Sequence, residues 1–225
     1  MMSGKAAFFD VAGTVITGNP WRYVLSHPSL PRNQVRLAYI PLFSWYGLKK
    51  ARLISDTRFR HHWIRGVGGL FKGWTRDRVE AVFADVAESS RAAGEFVDPV
   101  LQIIQQHRQD GVRVVLVSGL FDGIVKTYAG AVGADEGIGS PLGFDGDRCT
   151  GRIAGPTIGG PTKLDVIRAY LQREGLALDL KQHYAYADSY SDVPMLSAVG
   201  TAVATNPEPE LRTVAVERGW RIIDS

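Results

Sequence analysis

Near the start of the chain a short apolar run, Ala6-Ala7-Phe8-Phe9, ends abruptly on an acid, Asp10. Short unbroken apolar runs are what a strand buried on both faces requires. The pattern recurs at Val112–Val117, which ends at Ser118-Gly119, and at Tyr184-Ala185-Tyr186-Ala187, which ends at Asp188. Thr201–Ala204 predicts a further strand and Trp220–Ile223 an edge strand. Between these runs the spacing turns helical. Val100, Leu101, Ile103 and Ile104 oppose a Gln-rich face over 98–109, and Gly111 ends that helix. Further helices are predicted over about 121–131, from a capping Thr162 to about Arg173, in a short piece closing at Leu196–Val199, and over Pro207–Arg218. Phe144-Asp145-Gly146-Asp147 predicts a hairpin turn between short strands. Strands alternating with helices after residue 98 predict an α/β fold built on a doubly wound parallel sheet.

Residues 17–95 break that alternation. They carry no clear strand and have helix-like spacing, with breaks predicted at Pro20, Pro28, Pro31, Pro41 and the Gly66–Gly69 cluster. The expected organisation is therefore a core of residues 1–16 and 96–225 with a helical cap, 17–95, inserted into it. Charge divides the chain at nearly the same place. From Thr17 to Arg76 there are eleven basic residues against one acid, Asp56, a net of +10 in a chain whose total is +3. Such a lid would attract an anionic substrate or surface; a solvated basic helix surface is the plainer alternative. At 225 residues and 45% apolar, the chain has enough for one α/β core with an insertion. A single cysteine, Cys149, excludes an internal disulfide and suits a reducing compartment. Met1 to Lys5 lead straight into the first strand with no secretory pattern, and no apolar run reaches the ~18–20 residues of a membrane span. A cytoplasmic location is expected.

The chemistry-bearing residues cluster at the ends of the strands. Ligands of open α/β sheets bind outside the carboxyl ends of strands. Asp10 and Asp188, 178 positions apart, both occupy such ends. Two carboxylates at one sheet edge would hold a hard divalent cation and leave an oxygen free to attack an electrophile. Ser118-Gly119 offers a hydroxyl and a backbone N–H for a phosphate oxygen. Lys163 opens a helix after a Gly-Pro loop, and Asp192 lies four residues beyond Asp188, on the same side of any helical turn. Alone, these are a turn aspartate, a loop serine and a surface lysine. In this order they predict one site.

The ordered set, Asp10-Val11-Ala12-Gly13-Thr14, Ser118-Gly119, Lys163 and Asp188-Ser189-Tyr190-Ser191-Asp192, resembles the four motifs of the haloacid dehalogenase-like hydrolases. The similarity is to the phosphoserine-phosphatase-like branch with a helical cap after the first motif. Pro194-Met195-Leu196 and Val203-Ala204-Thr205-Asn206-Pro207 add to it, and it covers residues 5–16 and 96–224. The resemblance implies a Rossmann-like core and a magnesium-dependent phosphomonoesterase. Asp10 would be the nucleophile of an aspartyl-phosphate intermediate. Mg2+ would be held by Asp10, the backbone carbonyl of Ala12 and Asp188, with Asp192 in support. Ser118 and the N–H of Gly119 would bind phosphoryl oxygens, and Lys163 would neutralise charge. The partner implied is a small phosphorylated substrate; no nucleic-acid-binding motif is present.

Two positions depart from the family pattern. The family's second aspartate, which protonates the leaving oxygen, is Ala12 here. General acid–base help is worth roughly 10²–10⁴-fold, so slow or lost turnover is expected. Four readings follow: a phosphatase whose aspartate was replaced deliberately; a natural variant that recruits the substrate or His27, His61 or His62 as base; a phosphonoacetaldehyde-hydrolase-like cleavage of a C–P bond with Lys49, Lys50 or Lys72 as Schiff base; or a non-catalytic phospho-ligand or membrane-surface binder. The acid-rich fourth motif argues against a dehalogenase. The glutamate that meets the amine of phosphoserine falls at Asn19. The apolar, aromatic stretch Val35–Lys50 between cations predicts either buried cap helices or an interfacial segment suited to an amphiphilic or lipid phosphate and peripheral membrane contact.

Overall fold

The computed structural model describes residues 4–50 and 53–224. Side chains of residues 39–43, 48–50 and 56–57 lie outside the described set, and with them Tyr39 and Phe43 of the interfacial segment and the expected Lys49 and Lys50.

A six-stranded parallel sheet forms the centre. Its strands are β1 (Ala6–Phe9), β2 (Arg113–Phe121), β3 (Glu136–Ser140), β6 (Tyr184–Ala187), β7 (Thr201–Thr205) and β8 (Arg221–Ile223), in the order β3-β2-β1-β6-β7-β8. The chain builds outward from β1 on one side and then returns to its other side with β6. The crevice where the order reverses therefore opens at the ends of β1 and β6. Phe9 pairs with Tyr186 in register, so Asp10 and Asp188 emerge there together. A two-stranded antiparallel hairpin, β4 (Leu142–Asp145) and β5 (Arg148–Ile153), turns at Gly146-Asp147 as predicted.

Alternation along β1 serves both faces of the sheet. Ala7 and Phe9 join one apolar cluster with Val114, Leu116 and Ile104; Ala6 and Phe8 join the other with Val115, Ile167, Leu196 and Leu211. Helices α5 (Asp98–Gln109), α6 (Asp122–Val132), α7 (Thr162–Arg173), α8 (Val193–Ala198) and α9 (Pro209–Glu217) cover these faces. Among the described residues four helices lie between β1 and α5: α1 (Pro20–Ser26), α2 (Arg32–Lys50), α3 (Asp56–Gly69) and α4 (Arg76–Ala92). The chain leaves and re-enters the sheet side by side, with Thr17 N donating to the carbonyl of Glu95 at 2.8 Å and Val97 N to that of Val15 at 3.0 Å.

Several predicted boundaries are corrected. Pro41 does not break its helix; α2 runs through it, packed against α3. The Gly66–Gly69 cluster also stays helical. A Cβ on Gly68 would lie 3.2 Å from the carbonyl of Gly151, so the glycine lets α3 seat closely on the hairpin. Strand β2 continues past Ser118 to Phe121, because β3 pairs with it again at Ser140 after a register shift. Thr162 is not the cap of α7. It is the first helical residue, and its hydroxyl meets Gly159 N at 2.9 Å, pinning the preceding loop. Among the described residues no helix is long and apolar enough to cross a membrane, and Cys149 is a buried free thiol.

Candidate active site

Asp10 is the first residue after β1, and its backbone N–H donates to the carbonyl of Tyr186 at 3.0 Å. The turn that follows is tight. Val11's carbonyl receives the N–H groups of Thr14, Val15 and Ile16, and Ile16's carbonyl receives that of Gly13. This ladder bypasses the carbonyl of Ala12. Gly13 sits at φ +93, where a side chain is strained, and a Cβ there would fall inside the Asp188 carboxylate. Thr14 donates its hydroxyl to Asp188 Oδ1 at 3.0 Å. The Asp-x-x-Gly-Thr turn is thus shaped to lay its backbone against Asp188.

Lys163 reaches the same place from the start of α7. Its Nζ donates to Asp10 Oδ1 at 2.7 Å and to Asp192 Oδ2 at 2.9 Å, with Asp192 Oδ1 at 2.8 Å. Asp10, Lys163 and Asp192 are only 8%, 3% and 1% exposed. Burial alone would pull the Lys163 ammonium down, but the Asp10 and Asp192 carboxylates outweigh it and hold its pKa up at about 12. Asp188 is pushed up to about 8, first by burial and then by the charge of Asp10, against the hydrogen bond from Thr14. Burial raises Asp192 too, with Lys163 opposing.

Three carboxylates face one ammonium, and a divalent cation with hard oxygen ligands is what relieves such a surplus. Among the described residues, however, no three carboxylate, imidazole or thiolate groups meet in a cation-binding cluster. Asp192 is turned onto Lys163, which leaves Asp10 and Asp188 as side-chain donors and requires backbone for the rest. The glycine cradle against Asp188 and the bypassed Ala12 carbonyl fit that requirement.

A cleft of about 320 Å³ opens over Asp10. Ala12, Ser118, Gly119, Lys163 and Asp192 line its floor, so all predicted site residues except Asp188 border it directly. Gly119 has to be a glycine: a Cβ would lie 2.9 Å from the carbonyl of Ile158. The rest of the lining comes from α1 to α3 and the residue that caps α1, and includes Asn19, Trp21, Phe59, Arg60 and Trp63. Arg60 spans the cleft, its Nη1 donating to Ser191 Oγ at 3.1 Å, and it lies against Gly159. Sequence reasoning missed Arg60, which was one of eleven cations without distinguishing context, and the role of Thr14 in orienting Asp188.

None of the proposed substitute bases borders the cleft. His27 pairs with Asp85 at 2.9 Å and His62 stacks on Trp45 with ring centroids 3.7 Å apart. His61 meets the Thr157 hydroxyl at 3.2 Å, and burial followed by the charges of Arg65 and His62 lowers its pKa. Lys72 is exposed in the turn after α3, beside Gly151.

A Rossmann-like sheet with an acid after β1, a serine in β2, a lysine opening α7 and two acids after β6 defines a class of hydrolase. The chain belongs to that class, the haloacid dehalogenase-like hydrolases, whose family model matches residues 7–197. Within that class the chain is similar to proteins named as phosphatases. It is 39% identical over 132 residues to a phosphoserine phosphatase of Mycobacterium tuberculosis (strain ATCC 25618 / H37Rv), a stretch that is 59% of this chain and 42% of that relative. The chain thus spans less than half the length of that protein. A second protein of the same strain, named a probable phosphatase, is 32% identical over 222 residues, covering 97% of this chain and 74% of the relative. The fold matches a solved protein of unknown function from Bordetella pertussis Tohama I with a TM-score of 0.83 over 98% of both chains at 24% identity.

Proposed function

We propose that this chain is a magnesium-dependent phosphomonoesterase that works through an aspartyl-phosphate on Asp10, slowed by the alanine at position 12. The reading divides the chain into a catalytic core, residues 1–16 and 96–225, and a helical cap, 17–95, with the substrate between them. The observation that carries it is the buried Asp10–Lys163 pair on the floor of a cleft that Ser118 and Gly119 also line.

Lys163 occupies Asp10 Oδ1, which leaves Oδ2 to form the bond to phosphorus as the bond from phosphorus to the alcohol oxygen breaks. Ser118 Oγ and the N–H of Gly119 hold phosphoryl oxygens, and the Lys163 charge offsets the anion. Water then attacks the phosphorus and releases Asp10. Mg2+ would be held by Asp10, Asp188 and the Ala12 carbonyl, and would supply charge neutralisation and alignment of the phosphoryl group. Both proton transfers, to the leaving alkoxide and from the attacking water, lack a side chain at Ala12, so turnover relies on solvent or on a low-pKa alcohol.

The test is hydrolysis of 4-nitrophenyl phosphate with and without Mg2+. Slow turnover is expected, lost with a chelator and raised about 10²–10⁴-fold by Ala12→Asp. Adding Asp10→Asn should abolish the gain, and retained activity would refute the nucleophile. Independently of activity, Mg2+ should raise the thermal midpoint of the wild type and not that of Asp188→Asn. Phosphate binding without turnover even in Ala12→Asp would favour the phospho-ligand-binding reading, which the alanine itself suggests.

A further inference from the structure

The cleft is also walled by Trp21 of α1 and Phe59, Trp63 and Ile64 of α3, with the exposed Tyr46 of α2. The rings touch one another: Trp21 and Trp63 meet edge-on at 6.4 Å, Phe59 and Trp63 at 5.7 Å, and Tyr46 and Phe59 at 6.2 Å. They form a continuous apolar wall. Among the described residues, the polar groups set into it carry no negative charge. Asn19, an exposed residue of the lining, accepts the Trp21 backbone N–H on Oδ1 at 3.1 Å and is uncharged. Trp63 Nε1 is a buried donor without a partner among the described residues. Arg60 adds a positive charge. The carboxylates that line the cleft, Asp10 and Asp192, both belong to the floor and both bond Lys163.

An ammonium group brought against this wall would lose water, meet no counter-ion among the described residues and face Arg60; attraction to ring faces is a weak return for that loss. An uncharged apolar group gains from every part of its surface removed from water. We propose that the cleft selects phosphomonoesters whose alcohol half is apolar and carries no positive charge, and discriminates against amino-acid phosphates. The proposal rests on the phosphomonoesterase reading of the same cleft and adds the class of its substrate.

Calorimetric titration of the Mg2+-loaded protein with non-hydrolysable probes tests it. The probes are inorganic phosphate, benzylphosphonate, octylphosphonate and 2-amino-4-phosphonobutyrate, the last standing for phosphoserine. Benzyl- or octylphosphonate should bind at least ten-fold more tightly than the amino-acid phosphonate, and the tighter of the two says whether the natural alcohol is a ring or a chain. Asn19→Asp keeps an acceptor for the Trp21 N–H, since aspartate caps helices as well as asparagine, and places a negative charge in the wall. It should narrow the ratio at least ten-fold. Equal or tighter binding of the amino-acid phosphonate to the wild type, or a ratio unmoved in Asn19→Asp, overturns the selectivity while phosphate binding leaves the catalytic reading standing. If phosphate itself fails to bind, the catalytic reading falls and takes this proposal with it.

Discussion

At Lys163 the chain holds an ammonium almost entirely out of water between two carboxylates. Removing one member of a buried pair leaves the others uncompensated, at a cost of about 3–5 kcal/mol. Lys163→Met is therefore expected to lower the urea midpoint strongly, and a midpoint within experimental error of wild type would contradict the buried network. Gly13 is the second sensitive residue. Gly13→Ala combines a positive φ with a methyl placed on the Asp188 carboxylate, so Mg2+ should no longer raise the thermal midpoint of that variant. At this scale the sequence was informative wherever a residue type is rare in its setting. An acid ending an apolar run stands out, and so does an alanine where an acid is expected. Arg60 was invisible, because a cation on a basic helix is ordinary until the fold places it opposite Ser191.

Among the elements, the apolar runs located β1, β6 and β7 almost to the residue, since a strand buried on both faces leaves no freedom of composition. The helices were less faithfully marked at their ends. Pro41 and the glycines of α3 are breakers by local propensity, yet packing of α2 on α3 and of α3 on the hairpin keeps both helical. His107 joins two elements the sequence did not connect: it bonds the Tyr186 hydroxyl at 2.8 Å, tying α5 to β6 beneath the site. Burial lowers its pKa below 6.5, against the pull of Asp110. The folded protein thus keeps it neutral, while the unfolded chain takes up a proton near pH 6.5. Its contribution to stability is present above that pH and is lost as pH falls below it. His107→Gln should cost ~1 kcal/mol at pH 7.5 through the altered hydrogen bond, with the gap from wild type narrowing at pH 5. Urea unfolding at both pH values measures this, and a gap that widens on acidification would be the wrong sign.

For the whole molecule, the four inserted helices do not float above the sheet. Phe71 and Phe83 pack on Phe121 with ring centroids 6.0 and 5.6 Å away, and Trp21 meets it at 5.3 Å, so Phe121 at the end of β2 anchors the wall of the cleft. Gly123 makes room for this contact, since a Cβ there would lie 2.5 Å from Phe83 Cδ2. Gly123→Ala is expected to destabilise by about 1–3 kcal/mol through overpacking and to weaken phosphate binding by moving the wall. Adding Phe83→Leu should recover part of both losses. Additive effects in that cycle would mean that α4 and α6 do not meet as described.

The sequence alone determined the parallel sheet and the identity of the residues at the strand ends, because burial and backbone geometry constrain short apolar runs and their polar stops locally. Tertiary structure decided which of those residues meet. The return of the chain to the other side of β1 brings Asp188 beside Asp10, and the seat of α1–α3 over the sheet sets Arg60 and the aromatic wall opposite them. Contacts between residues more than a hundred positions apart depend on how whole elements pack, and neither residue of such a pair carries a local mark of its partner.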